Sequence, residues 1–183
     1  MCNEILKFWF EESTPEQWFT KDPDFDNQIK VKFLRTVEKA ISGELDDWAN
    51  SPYSCLALII LLDQFPRNLF RNDKLAFKND PKALKFCKHA IQNSFIGQLI
   101  NEERLFALLP LIHSENIEDH EMANLVLEKY LINLTGFEKT KKAWNDHTRV
   151  IKRFGHYPHR NAILGRESTE EEISFLKEPN SSW

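Results

Sequence analysis

Residues 55–62 read Cys-Leu-Ala-Leu-Ile-Ile-Leu-Leu, and a helix built from them shows no polar face at any rotation. A surface helix carries an apolar stripe and a charged back, whereas one that is apolar all round has to be enclosed on every side. The run is far shorter than the ~20 residues a membrane span needs, so the enclosure must come from the rest of the chain. Ser51-Pro52 marks its start, with proline at the first helical position. Pro66 disfavours helical geometry in the residue before it, so the helix is expected to end at Phe65. One central helix needs several others around it. The expected fold class is all-α: a single domain over residues 1–183, a bundle or superhelix of antiparallel helices.

The covering helices are visible as periodic apolar positions between capping signals. From about Asp24 to Ser42, Phe25, Ile29, Phe33, Val37 and Ile41 recur every fourth position, and Gly43 supplies a left-handed stop. Asn3 is placed to cap a short helix through Glu11, and Thr14-Pro15-Glu16-Gln17 has capping-box form. Asp80-Pro81 opens a helix to about Asn93, and Asn101 caps the next, in which Pro110 should kink or end the helix. Ser114 is the expected cap for Glu115 to about Asn133. A long helix follows from about Glu138 to Phe154, stopped by Gly155, and Pro158 begins a single turn to Gly165. Ser168 to Glu171 has capping-box form before a final helix. Strands with clean alternation are not expected.

Charge narrows the function classes. With 28 acids against 24 Lys and Arg, the net charge of −4 disfavours nucleic-acid or anionic-membrane binding, which needs a broad basic face. The opening residues have acids on both sides of a short apolar core and no basic leader, so no signal peptide is expected. Cys2, Cys55 and Cys87 are an odd set without paired spacing, and reduced thiols in a cytoplasmic protein are expected.

Against this acidic background, His147 to Arg166 contains no acid at all. Arg149, Lys152, Arg153, Arg160, Arg166, His147, His156 and His159 are interleaved with Val150, Ile151, Phe154 and Tyr157, the mark of a folded segment rather than a solvated tail. Two more polar sets lie at helix ends: Asp63 to Asn68, and His113-Ser114-Glu115. Helix ends leave backbone groups free and often hold ligands. Planar guanidiniums at Arg67, Arg71, Arg104, Arg153, Arg160 and Arg166 suit carboxylate or phosphate. His147 beside a carboxylate such as Glu115 would suit acid–base work. His156-x-x-His159 is not a zinc spacing, and the arginines nearby would repel a cation, so no metal or cofactor is expected.

The leading expectation is a pocket for an anionic small molecule. Its acid–base candidates are His113, Glu115 and His147, and its binding candidates are Arg67, Asn68, Arg104, Arg153, His156, His159, Arg160, Asn161 and Arg166. Two other readings stay open from the residues alone. In one, the same groups form an internal network, with Arg67 paired to Asp63 and Arg160 or Arg166 to the Glu170–Glu172 run. In the other, they dock an acidic peptide or a C-terminal carboxylate.

The strings LDQFPRN (62–68), ERLF followed by LPLIHSE (103–115) and RFGHYPHRNAILGRESTEEE (153–172) resemble those of the bacterial domain-of-unknown-function 924 family. The opening FWF, WF, FDNQI and GELDDWA fit as well, so the resemblance spans nearly the whole chain. It implies an all-helical, tetratricopeptide-like fold and names no activity. Carried over by position, it adds Asp63 and Ser114 to the residues above. The family pattern has Arg at position 156 and Gln at position 120, where this chain has His156 and His120. Those departures imply a weaker, pH-dependent grip on an anion.

Overall fold

In the computed structural model, which describes residues 1–179, 181 and 182, α4 (Pro52–Asp63) is buried from Cys55 to its last residue. It packs against α1 (Cys2–Lys7), α3 (Pro23–Ser42), α6 (Asp80–Gln92), α7 (Asn101–His113) and the 3-10 turn Asp46–Asn50. Each Leu or Ile on α4 has neighbours on every side, and each contributes about 1.5–3 kcal/mol of transfer free energy. The helix ends at Asp63, two residues before the expected stop. Pro66 does not terminate it but sits in the first turn of α5 (Phe65–Leu69), where a missing N–H costs nothing.

The N-terminal elements close one side of the core. α1 continues into a wider π-type turn, Phe8–Glu12, which carries Phe8 and Trp9 into the interior. Trp9 meets Phe65 at 5.5 Å and Phe106 edge-on at 5.4 Å, an aromatic packing that ties the first turn of the chain to α5 and α7. Asn3 lies inside α1 and caps nothing. α2 (Pro15–Phe19) has the expected capping box through Thr14 and Gln17. On α3 the buried face is Phe25, Ile29, Phe33, Val37 and Ala40. Gly43, at φ 94°, turns the chain off the end of α3 while its N–H bonds the Ala40 carbonyl.

The second half stacks in chain order: α6 on α7, α7 on α8 (Ile117–Tyr130), and α8 on α9 (Phe137–Phe154). Pro110 neither ends nor breaks α7, which runs on to His113. Leu105 to Ile112 are all buried, and packing holds the turn that has lost one hydrogen bond. Three caps fall on neighbours of the expected residues. Asn116, not Ser114, caps α8, because Ser114 Oγ accepts from Asn116 N at 3.1 Å and donates to Asp119 Oδ2 at 2.6 Å. Asn101 is the first residue of α7 rather than its cap, and its amide reaches the Asn133 carbonyl at 2.9 Å. Thr169 with Glu172, not Ser168 with Glu171, forms the capping box of α11 (Glu170–Phe175).

Gly155, at φ 73°, stops α9, and the 3-10 turn Pro158–Arg160 leads into the short α10 (Asn161–Leu164). Among the described residues there is no strand, and no helix is long and apolar enough to cross a membrane. Cys55 and Cys87 are buried thiols whose pKa burial pushes up, that of Cys55 to about 12, so neither has thiolate character at neutral pH.

Candidate functional site

The C-terminal ends of α4 and α7, the start of α6 and the turn before α10 meet at one place, and each brings a polar group. Asp63, the last residue of α4, is fully buried and receives a hydrogen bond from Gln64 Nε2. His113, the last residue of α7, brings Nδ1 to 2.7 Å from Asp63 Oδ1. Arg67 stands one turn further on, with Nη1 3.5 Å from the same oxygen and donating to the Asp63 carbonyl. Burial alone would raise the Asp63 pKa, but the Arg67 and His113 groups more than offset it and keep the carboxyl ionised. Burial, then the Arg67 charge, pushes the His113 pKa down. Arg67 already supplies the positive charge that Asp63 needs, so the imidazole stays neutral. Its Nδ1–H donates to Asp63, and Nε2 is left as a lone-pair acceptor. Among the described residues His113 makes no other hydrogen bond.

Arg67 also forms a two-pronged pair with Asp80 at the start of α6, both contacts being 3.1 Å. Asp80 Oδ2 is shared with Arg160 Nη1 at 3.3 Å. The Arg160 guanidinium packs on two rings, 4.6 Å from the centroid of Phe77 and 4.6 Å from that of Tyr157. Only 6% of Arg160 is exposed, and its Nε is buried without a hydrogen-bond partner. Burial depresses its pKa, and Asp80 only partly opposes that.

Tyr157 is the hub of the third set. Its hydroxyl donates to the Ile112 carbonyl, and burial raises its pKa. Its ring lies 5.8 Å from that of His147, 6.3 Å from His120 and 5.4 Å from His159. Burial pushes His147 down to about 3 and His159 down to about 4, so both are neutral imidazoles. His147 Nδ1 is 2.8 Å from the Ala143 carbonyl one turn back on α9. His120 is fully enclosed between the Ser114 carbonyl, 2.9 Å from Nε2, and Thr148 Oγ1, 3.2 Å from Nδ1.

Glu115 accepts from the Tyr157 N–H at 3.0 Å and takes both prongs of Arg166, at 2.6 and 3.0 Å. Burial works against its charge, yet Arg166 and the Tyr157 N–H hold its carboxyl below the usual range. An open hollow of about 480 Å³ lies against Glu115, with Ile117, Ile151, Lys152 and Gly155 in its wall. The imidazoles lie outside that lining.

The family described as bacterial protein of unknown function (DUF924) matches residues 5–180. This chain belongs to the DUF924 family. Among solved structures, a protein of unknown function from Agrobacterium tumefaciens, ATU0120, has the same fold. It is 35% identical, with a TM-score of 0.86 over 96% of each chain. Among curated proteins none matches.

In this DUF924 protein the candidates divide into two sets. Arg67, His113, Glu115, His147, His159, Arg160 and Arg166 come together around Asp63, Asp80 and Tyr157. The other five do not join them. Arg104 stands at the opposite end of α7 from His113, about 13 Å away along the axis, with its N–H groups on the Ile96, Gly97 and Tyr130 carbonyls. Asn68 joins Arg71 on Asp26, and Arg153 pairs with Glu171 over the rings of Phe154 and Phe175. His156 and Asn161 both reach the buried Glu172, at 2.7 and 3.2 Å. Of the internal pairings weighed from sequence, Arg67 with Asp63 forms. Arg160 and Arg166 instead choose Asp80 and Glu115 over the Glu170–Glu172 run.

Two participants are missing from the site expected from sequence: Asp80 reads as a helix-start acid and Tyr157 as one of the apolar residues of the basic segment. Asp63 enters it as a member of the polar set at residues 63–68, as a partner for Arg67 and through the family resemblance. A further sequence signal for Asp63 is its place two residues before Phe65-Pro66, at the end of a helix with no other polar group from Cys55 onward.

Proposed function

We propose that this DUF924 protein binds an anionic small molecule, phosphate- or carboxylate-bearing, at Arg160, with His113, joined to it through Asp63, Arg67 and Asp80, as the group that takes or releases a proton. One observation carries the reading. Arg160 is almost wholly buried, yet among the described residues it makes a single 3.3 Å hydrogen bond, to an acid already engaged by Arg67. A buried guanidinium left with unmet donors is costly, and native proteins normally satisfy such groups, so an oxyanion from outside is the expected complement. The Asp63–His113 pair supports the acid–base part: a buried carboxylate orients the ring through Nδ1 and leaves Nε2 available. Glu115, held by Arg166, acts as a fixed wall rather than as the base.

The in-order stacking of α6 to α9 supports a tetratricopeptide-like description of the second half. Cytoplasmic residence is supported by the unpaired cysteines. The docking of an acidic peptide gains no comparable support, since the guanidiniums are largely enclosed.

A thermal-shift screen of phosphates, nucleotides and carboxylates tests the proposal. A ligand at about 100 times its Kd adds about 2.7 kcal/mol, or roughly 5–10 °C in Tm for a chain of this size. Arg160→Gln should keep the fold and lose the shift. Silence of the wild-type protein across all the anions would overturn the reading.

A further inference from the structure

We infer that the site selects a carboxylate over a phosphate, because Arg160 offers one flat, two-pronged seat in a network whose fixed charges already balance. The inference rests on the anion site proposed above and narrows it.

The seat follows from what covers the guanidinium. The rings of Phe77 and Tyr157 both stand 4.6 Å from its central carbon, and all the donors of a guanidinium point outward in its own plane. Nη1 is spent on Asp80, and Nε is buried with no hydrogen-bond partner. The remaining edge, Nε with Nη2, presents two parallel N–H groups, the fork that matches the two oxygens of a carboxylate. A planar carboxylate continues the plane of the guanidinium. A tetrahedral phosphate sends at least one oxygen out of that plane, where the aromatic rings packed on Arg160 leave less room.

Charge points the same way. Arg67, Arg160 and Arg166 face Asp63, Asp80 and Glu115, three cations against three anions. The groups around Arg160 are Arg67 on α5, Asp80 on α6, Glu115 after α7, and Tyr157 and His159 beside it in the basic segment. Burial keeps the imidazoles of His113, His120, His147 and His159 neutral, so they add no positive charge near neutral pH. One negative charge can be answered by the Arg160 fork, whose hydrogen-bonded acid, Asp80, is shared with Arg67. A second would enter a partly buried site with no cation left to meet it.

The test is a set of thermal-shift titrations of the full chain with benzoate, a dipeptide bearing a free carboxylate, the same dipeptide as its amide, and inorganic phosphate. Each is run at about pH 6.5 and about pH 8, both well above the pKa values of His147 and His159. Expected at the higher pH is half-maximal stabilisation by a carboxylate at a concentration at least about tenfold below that of phosphate. The gap should narrow at the lower pH as phosphate becomes a monoanion. Benzoate and the dipeptide together distinguish a small acid from a peptide C-terminus, and either one binding ahead of phosphate and of the amide supports the inference.

Phosphate binding as well as the carboxylates at the higher pH would overturn the selectivity and leave the anion site standing. No response to any probe would overturn both. Arg160→Lys keeps the charge and removes the fork, so it should weaken the carboxylate by about tenfold or more while changing phosphate little. Equal losses for the two would count against the fork.

Discussion

Lowering the pH from 7 to 5 should destabilise this protein well above the range where carboxylates titrate. His147 and His159 are neutral in the fold, with pKa values of about 3 and about 4, against about 6.5 for an imidazole in the unfolded chain. Between those limits the unfolded state binds more protons than the folded one, so stability rises with pH there and falls as pH drops below about 6.5. At pH 5 each ring has forfeited about 1.5 pH units at 1.36 kcal/mol per unit, about 2 kcal/mol, or about 4 kcal/mol for the pair. Set against a typical total of about 5–15 kcal/mol, that is a large share. Urea denaturation at a series of pH values measures it. His147→Gln, which retains hydrogen-bonding capacity but does not titrate, should flatten the stability–pH slope in this window by about 1.4 kcal/mol per unit. Equal stability at pH 7 and pH 5, or an unchanged slope in the variant, would refute the reasoning.

Asp63→Asn removes a fully buried charge from between Arg67 and His113 and should cost about 3 kcal/mol in denaturant unfolding. Because the folded-state pKa of Asp63 is depressed, that contribution is complete above about pH 4 and shrinks as the acid protonates below it. Gly155→Ala places a Cβ at φ 73° with nothing within 4 Å to clash, so only backbone strain acts: a loss of about 1 kcal/mol in Tm-derived stability, with Gly155→Asn milder. Thr169→Ala deletes the cap that receives Glu172 N at 3.2 Å and should lower stability by about 1 kcal/mol, readable in the same unfolding assay.

Why some of this was legible and some not has a physical basis. Burial of α4 follows from composition alone, since a run with no polar residue has no solvent face to offer. Caps were displaced where another group had already taken the expected side chain. Asp119 holds the Ser114 hydroxyl, and Asn133 holds the Asn101 amide. The polar sets at helix ends were visible because Pro and Gly mark those ends. Their partners were not, because Arg160 finds its acid eighty positions away and Arg166 finds its own fifty-one away. Local spacing holds no trace of such choices, which packing makes. Arg104 shows the converse: its planar guanidinium and its place in the ERLF motif suit a binding role, yet the carbonyls around it take up its donors.

The position of α4 carries one more consequence. In an open solenoid each repeat touches only the one before and the one after, so units can be added or lost and the array can melt from its ends. Here a single rod is gripped by segments from the chain's first residues and from its middle, and the reactive-looking acid is its final residue. Cutting the polypeptide anywhere between α1 and α7 would leave neither fragment with a closed interior. Melting should therefore be all-or-none, and lineages can lengthen this architecture only at its loops and termini.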